Sequence, residues 1–85
     1  MNYTVQILPR AQRQLAKLPA EAYVRVRDAL RALAENPRPS GCLKLVGREG
    51  WRLRVGRYRV IYEIDDASRI VTILDVAHRR DIYQR

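Results

Sequence analysis

The sequence predicts an α+β fold: an N-terminal strand, an α-helical hairpin, and then an antiparallel β-sheet of about four strands with the helices on one face. Apolar residues repeat at helical spacing in the first half of the chain and alternate with polar residues in the second half, and prolines or glycines separate the segments. This order of elements is typical of a two-layer domain. A chain of 85 residues has room for one domain, which we expect to span residues 1–85.

The N-terminal half predicts one strand and two helices. Residues 3–7 alternate as a first strand, and Pro9 suits the first turn of a short helix. Pro19 ends that helix and begins a second one, which Asn36 and Pro37 stop. The apolar stripes expected to face the sheet are Ala11, Leu15 and Leu18 on the first helix and Ala22, Val26, Ala29, Leu30 and Leu33 on the second.

The C-terminal half predicts the sheet. After a turn-rich connector at residues 37–41, we expect strands at residues 43–46, at both arms of a hairpin in residues 51–62, and at residues 70–76. Residues 65–69, Asp-Asp-Ala-Ser-Arg, have the polar composition of a turn that joins the last two strands.

The hairpin is the most informative segment, because it gathers arginines on one face. Gly56 and Arg57 suit a two-residue type II′ turn. In that register Arg54 lies opposite Arg59, and Arg52 shares their face. The other face is apolar and packs on the helices; it carries Trp51, Leu53, Val55, Tyr58, Val60 and Tyr62. Like charges opposite each other destabilise a sheet, so the arginine face, expected to look outward into solvent or a ligand groove, predicts an anionic ligand.

The composition limits the chemical class of that ligand. Seventeen basic residues oppose nine acidic ones for a net charge of +8, and all the basic residues except Lys17 and Lys44 are arginines. Arginine presents a planar fork that fits phosphate and stacks on bases, although an anionic membrane surface or an acidic protein is also compatible. We expect no membrane span, no signal peptide and a cytoplasmic location. One cysteine and one histidine provide no zinc-ligand spacing, so we expect neither metal nor cofactor.

Two C-terminal segments resemble a known family. Residues 55–64, Val-Gly-Arg-Tyr-Arg-Val-Ile-Tyr-Glu-Ile, followed by residues 76–83, Val-Ala-His-Arg-Arg-Asp-Ile-Tyr, are similar to the RelE family of bacterial toxin-antitoxin systems. Residues 9–19 look like the first helix of that family. The resemblance implies a RelE-like microbial ribonuclease fold and a ribosome-dependent messenger-RNA endoribonuclease that inhibits translation and needs no metal. It also implies two partners: the ribosome with its message, and a cognate antitoxin, expected to be acidic and partly disordered when free.

The resemblance assigns roles residue by residue. Arg59 and Arg79 are the candidates for stabilising the phosphate in the transition state, and Tyr83 for stacking on a base or accepting a proton. Arg52 and Arg54 would position the RNA backbone. Arg80 is not among the positions matched by the resemblance, but as the neighbour of Arg79 it is expected to add positive charge to the cluster. Some relatives have lysine where this chain has Arg52 and Arg54. Because arginine effectively cannot lose its proton, neither residue is expected to be the general base.

The identity of the base and of the function stay open at this level. Tyr83, His78, Glu63 or a group of the ribosome are alternative bases, and we give His78 a minor role. Two other functions are compatible with the sequence: a ParE-like inhibitor of DNA gyrase, and a non-catalytic module that binds RNA or an antitoxin. The helix arginines, such as Arg25, are interpreted first as a solvated surface, with an antitoxin or ribosomal RNA as alternative partners.

Overall fold

The computed structural model describes residues 2–78 and residue 80. The elements in chain order are β1 (Thr4–Ile7), α1 (Pro9–Ala16), α2 (Ala20–Ala32), β2 (Leu43–Lys44), β3 (Trp51–Val55), β4 (Tyr58–Asp65) and β5 (Ile70–His78). This confirms the predicted α+β order. β2 is shorter than expected because the chain leaves the sheet at Leu45, whose N–H donates to the carbonyl of Gly50 at 3.0 Å and closes a loop. Among the described residues, neither helix has the length and apolar character of a membrane span.

The sheet has five strands in the order β1-β5-β4-β3-β2. β2 to β5 pair antiparallel, as predicted, but β1 lies at the edge and pairs parallel with β5. Backbone bonds hold it there: the Thr4 N–H donates to Arg69 at 2.8 Å and the Leu8 N–H to Ile73 at 3.0 Å. The sheet is therefore mixed. Alternation identifies a strand, but it contains no information about the strand's neighbour or direction.

The β3–β4 hairpin has the predicted register. Arg54 pairs with Arg59, and Val55 with Tyr58 across the turn. Gly56 has a φ of 60°, in the left-handed region, whereas Arg57 does not, as a type II′ turn requires. Because of this register, Arg52, Arg54 and Arg59 share one face of the sheet, which we call the arginine face.

The opposite face packs against the helices. Leu53, Val60 and Tyr62 are buried in one cluster with Leu15 and Leu30, as the apolar pattern predicts. The other buried members of that cluster are Ala11, Val26, Leu33, Val71, Ile73 and Val76. Tyr62 is fully buried, and its hydroxyl donates to the carbonyl of Pro37 at 2.8 Å. This bond joins the sheet to the connector that follows α2.

A β-bulge interrupts the pairing of β4 with β5. Ile61 pairs with Asp75 but Tyr62 pairs with Ile73, so Leu74 is the extra residue. The side chain of Gln14 spans this point: it accepts from the N–H of Val76 at 2.7 Å and donates to Asp75 at 2.6 Å. The bulge shifts the alternation, since Ile73 and Val76 are both buried against the helices although three positions separate them.

Candidate functional site

The arginine face brings together three of the predicted site residues. Arg54 is exposed, Arg52 is half-buried, and Arg59 is only 2% exposed. Arg59 therefore does not face open solvent as Arg54 does, but it lines a groove on the arginine face. Arg59 lies on β4, between β3 and β5 in the sheet, whereas Arg52 and Arg54 lie on β3, nearer the sheet edge. The central strand position explains why Arg59 is shielded from solvent, although burial of a charge is itself unfavourable.

These arginines line a groove of about 470 Å³. Leu43, opposite Arg52 on β2, forms part of its outer wall, and the connector before β2 contributes another part. The residues that line this arginine groove are Ser40, Gly41, Leu43, Arg52, Leu53, Arg54 and Arg59. No acidic side chain is among these described lining residues. The groove is therefore a cationic concavity with one charge at the bottom and two nearer its mouth.

The two arginines nearer the mouth of the groove, Arg52 and Arg54, form no ion pair with another described residue. Among the described residues, ion pairs join Arg10 to Asp75, Arg27 to Asp28, and Arg38 to Asp66, and none of them includes Arg52 or Arg54. Glu63 shares the arginine face but lines a different cavity, together with Glu49 and Asp65. Arg52 and Arg54 thus remain available to an anion.

The remaining predicted residues have different outcomes. His78 pairs with Tyr58, and their rings meet edge to face with 5.5 Å between centroids. Since Tyr58 lies on the helix-facing side of the sheet, His78 is not beside Arg59. Arg80 is exposed, and its N–H donates to Nδ1 of His78 at 3.3 Å. Arg79 and Tyr83 lie outside the described residues.

Another arginine, Arg38, lies near the start of β3 and is held by contacts within the fold. Arg38 forms a two-pronged contact with Asp66, 2.8 Å and 3.2 Å, and its guanidinium lies 5.1 Å from the centroid of the Trp51 ring. Tyr3 donates its hydroxyl to the same carboxylate at 2.6 Å. Hydrogen bonds from Arg38 and Tyr3 lower the pKa of Asp66 to about 2, and the bond to Asp66 raises the pKa of Tyr3. The pKa of Tyr62 is raised, chiefly by the burial of its side chain.

Metal ligands are not grouped in the part of the chain that the structure describes: over residues 2–78 and 80, no three His, Cys, Asp or Glu side chains are placed to hold an ion. The chemistry available in the groove from these residues is electrostatic. A buried guanidinium and two guanidinium groups nearer the mouth can bind a phosphate through charge-assisted hydrogen bonds.

The sequence pattern missed the outer part of the groove. Ser40 and Gly41 belong to a connector whose composition signals only a turn. Leu43 carried a usable signal, since a strand before the hairpin places an apolar residue opposite Arg52 if it pairs with β3.

Comparisons with known proteins agree with this architecture. Residues 5–83 match a family model described as "ParE toxin of type II toxin-antitoxin system, parDE". The chain is 40% identical to Toxin RelG of Mycobacterium tuberculosis over 89 aligned positions, which cover 100% of both chains.

Solved structures are similar along nearly the whole length. A chain of the RelBE2 toxin-antitoxin complex of M. tuberculosis has a TM-score of 0.83 at 33% identity, covering 93% of this chain and 100% of that one. A chain of the archaeal RelE–RelB complex of Pyrococcus horikoshii has a TM-score of 0.83 at 30% identity, covering 93% and 97%. Because the family model matches residues 5–83 and similarity to the toxins runs along nearly the whole chain, the chain belongs to the RelE/ParE superfamily of type II toxins.

Proposed function

We propose that this toxin is a ribosome-dependent endoribonuclease that cuts messenger RNA and thereby inhibits translation. The observation that carries the proposal is the convergence of Arg52, Arg54 and Arg59 in one groove without an acidic lining residue among those described. The groove by itself indicates only an anionic ligand. Full-length similarity to RelE toxins supports the more specific proposal.

The proposed reaction is attack of a ribose 2′-hydroxyl on the adjacent phosphorus. Negative charge then accumulates on the phosphate oxygens and on the departing 5′ oxygen. Arg59 would stabilise that charge from the bottom of the groove, where exclusion of water strengthens electrostatic interactions. One such donor is worth about 3 kcal/mol in a transition state. Arg79 is proposed to act with Arg59 on the phosphate.

Arg52 and Arg54 are proposed to position the RNA backbone, with Arg80 adding positive charge nearby. Arginine cannot serve as the base at neutral pH, His78 faces the helix side, and Glu63 lines a different cavity from the groove arginines. We therefore propose Tyr83 or a group of the ribosome as the proton acceptor. Ribosomal positioning of the message would supply several kcal/mol of the barrier, which explains how so few catalytic groups suffice.

The proposed partner in the cell is a cognate antitoxin. The similar chains from M. tuberculosis and P. horikoshii were solved as toxin-antitoxin complexes. The net charge of +8 favours an acidic antitoxin segment that folds as it binds.

The test is cleavage by the purified chain on ribosomes programmed with a defined message. We expect cleavage within the ribosomal A site, little cleavage of the same message free in solution, and loss of cleavage when the antitoxin is added. Intact message on programmed ribosomes would refute the ribonuclease proposal.

A gyrase inhibitor is the second candidate, because the family model that matches carries the ParE name. The same preparation is therefore added to DNA gyrase in a supercoiling assay. Inhibited supercoiling with an intact message would favour the ParE-like function, and neither effect would favour a non-catalytic binding module.

A further inference from the structure

A second cationic cavity lies at the tip of the β3–β4 hairpin, on the helix side of the sheet. It measures about 520 Å³, and it is formed by the start of α2, the hairpin turn and the end of β5. The lining residues that carry charge or rings are Glu21, Arg25, Arg57, Tyr58 and His78. We call it the hairpin cavity.

Two arginines converge on this cavity from different elements. Arg25 lies on α2 and Arg57 in the hairpin turn, and both are exposed. Arg25 reaches the turn itself, since a Cβ built on Gly56 would lie 3.9 Å from its Nη1 atom. Bringing two cations to one rim is unfavourable for folding alone.

The acidic residue of the rim does not cancel these charges. Glu21 is four positions before Arg25 on α2, a spacing that favours an ion pair. The described ion pairs nevertheless include neither residue. Glu21 lies in the first turn of α2, where a carboxylate stabilises the helix dipole. The described rim therefore keeps a net positive charge.

The inner wall of the hairpin cavity is aromatic. Tyr58 and His78 are half-buried, and their rings are nearly perpendicular, with an interplanar angle of 80°. A wall of rings beside arginines combines a surface for base stacking with donors for phosphate. An acidic peptide would use the arginines but has no need of the rings, so the lining favours a nucleotide.

The hairpin cavity and the arginine groove are lined by adjacent residues of the same strand. Arg54 lines the groove, and the next residue, Val55, lines the hairpin cavity. The two concavities thus lie on the two sides of one hairpin tip. To reach Arg57 and Arg25, a single strand bound in the groove would pass around that tip beyond Arg54.

We infer that the hairpin cavity is a second RNA subsite, which takes a nucleotide of the strand held in the arginine groove. Arg25 and Arg57 bind its phosphate, and Tyr58 and His78 contact its base. The subsite extends the bound strand beyond the scissile linkage. This inference rests on the proposed ribonuclease function, because it assigns the groove to RNA.

The test is binding of a fluorescein-labelled single-stranded RNA, followed by anisotropy at several salt concentrations. The test variant is R25A/R57A. The matched control is R13A/R31A, which also removes two exposed arginines, neither of which lines the hairpin cavity. R54A reports on the arginine groove. Circular dichroism confirms that each variant is folded.

R25A/R57A should bind the RNA roughly tenfold more weakly than R13A/R31A, and its slope of log affinity against log salt should be shallower by about 0.7, because one neutralised phosphate is lost. Equal affinities and slopes for the two double variants, with R54A weakened, would overturn the hairpin subsite alone. No weakening in any variant would overturn the groove assignment as well. If R25A/R57A loses affinity only for the cognate antitoxin, the cavity is a protein-docking site and the inference is wrong.

Discussion

An arginine lies at each end of β3, Arg38 from the connector after α2 and Arg54 on the strand itself, but the two contact different groups. At the start of the strand, Arg38 lies against the Trp51 ring and binds both oxygens of Asp66. Near the end of the strand, Arg54 faces the arginine groove and takes part in none of the ion pairs formed among the described residues. The difference teaches that the partner, rather than the residue type, distinguishes an arginine that holds the fold from one that is available to a ligand.

The largest effect should come from removing the charge at the bottom of the groove. R59M keeps most of the side-chain volume but removes the guanidinium, and we expect ribosome-dependent cleavage to fall by about 100-fold or more. R38M is the matched variant from the other end of β3 and should cleave at close to the wild-type rate. Single-turnover cleavage of a ribosome-bound message measures both rates. Cleavage by R59M at the wild-type rate would show that Arg59 does not act on the phosphate.

A smaller effect is expected nearer the mouth of the groove. R52Q/R54Q should raise the KM for programmed ribosomes by roughly tenfold and change kcat less, because these arginines are proposed to bind the RNA backbone before and during the reaction alike. Steady-state cleavage at several ribosome concentrations separates the two constants. A loss confined to kcat would instead place these side chains at the reacting phosphate.

Gln14, which spans the β-bulge, is a structural counterpart of Arg38, because both its amide nitrogen and its amide oxygen form hydrogen bonds within the fold. Q14A leaves the N–H of Val76 without its 2.7 Å acceptor, which should lower the free energy of unfolding by about 1–3 kcal/mol. Q12A, on the same helix, removes an exposed bond to the carbonyl of Ile7 and should cost less. Urea denaturation measures both. Equal losses would mean that the bulge does not need Gln14.

The smallest effect concerns the pH dependence of the Arg38–Asp66 contact. The folded state lowers the pKa of Asp66 to about 2, chiefly through the hydrogen bond from Arg38. The pKa of an Asp in an unfolded chain is about 3.9. The stabilisation is therefore present above pH about 4 and is lost as the pH falls towards 2. Melting temperatures of wild type and D66N should converge over that window. A gap that persists at the acidic end would contradict the assignment.

Local patterns contained most of the fold. Alternation and Gly56 specify the register of the hairpin, because a two-residue turn leaves no freedom in which residues face each other, so the shared face of Arg52, Arg54 and Arg59 followed directly. Helical spacing likewise identified Leu15, Val26 and Leu30 as the residues that pack on the sheet. These are short-range consequences of the chain, and the sequence by itself determined them.

Long-range pairing decided the rest. The parallel docking of β1 beside β5 depends on where a distant segment leaves an open edge, and the burial of Arg59 depends on its place on β4, between two other strands of the assembled sheet. The bulge at Leu74 places His78 on the helix side with Tyr58, whereas uninterrupted alternation from Ile73 would have placed it on the other face. Gln14, sixty residues earlier in the chain, accepts the backbone bond at that bulge, so only the tertiary structure decided which face the histidine occupies.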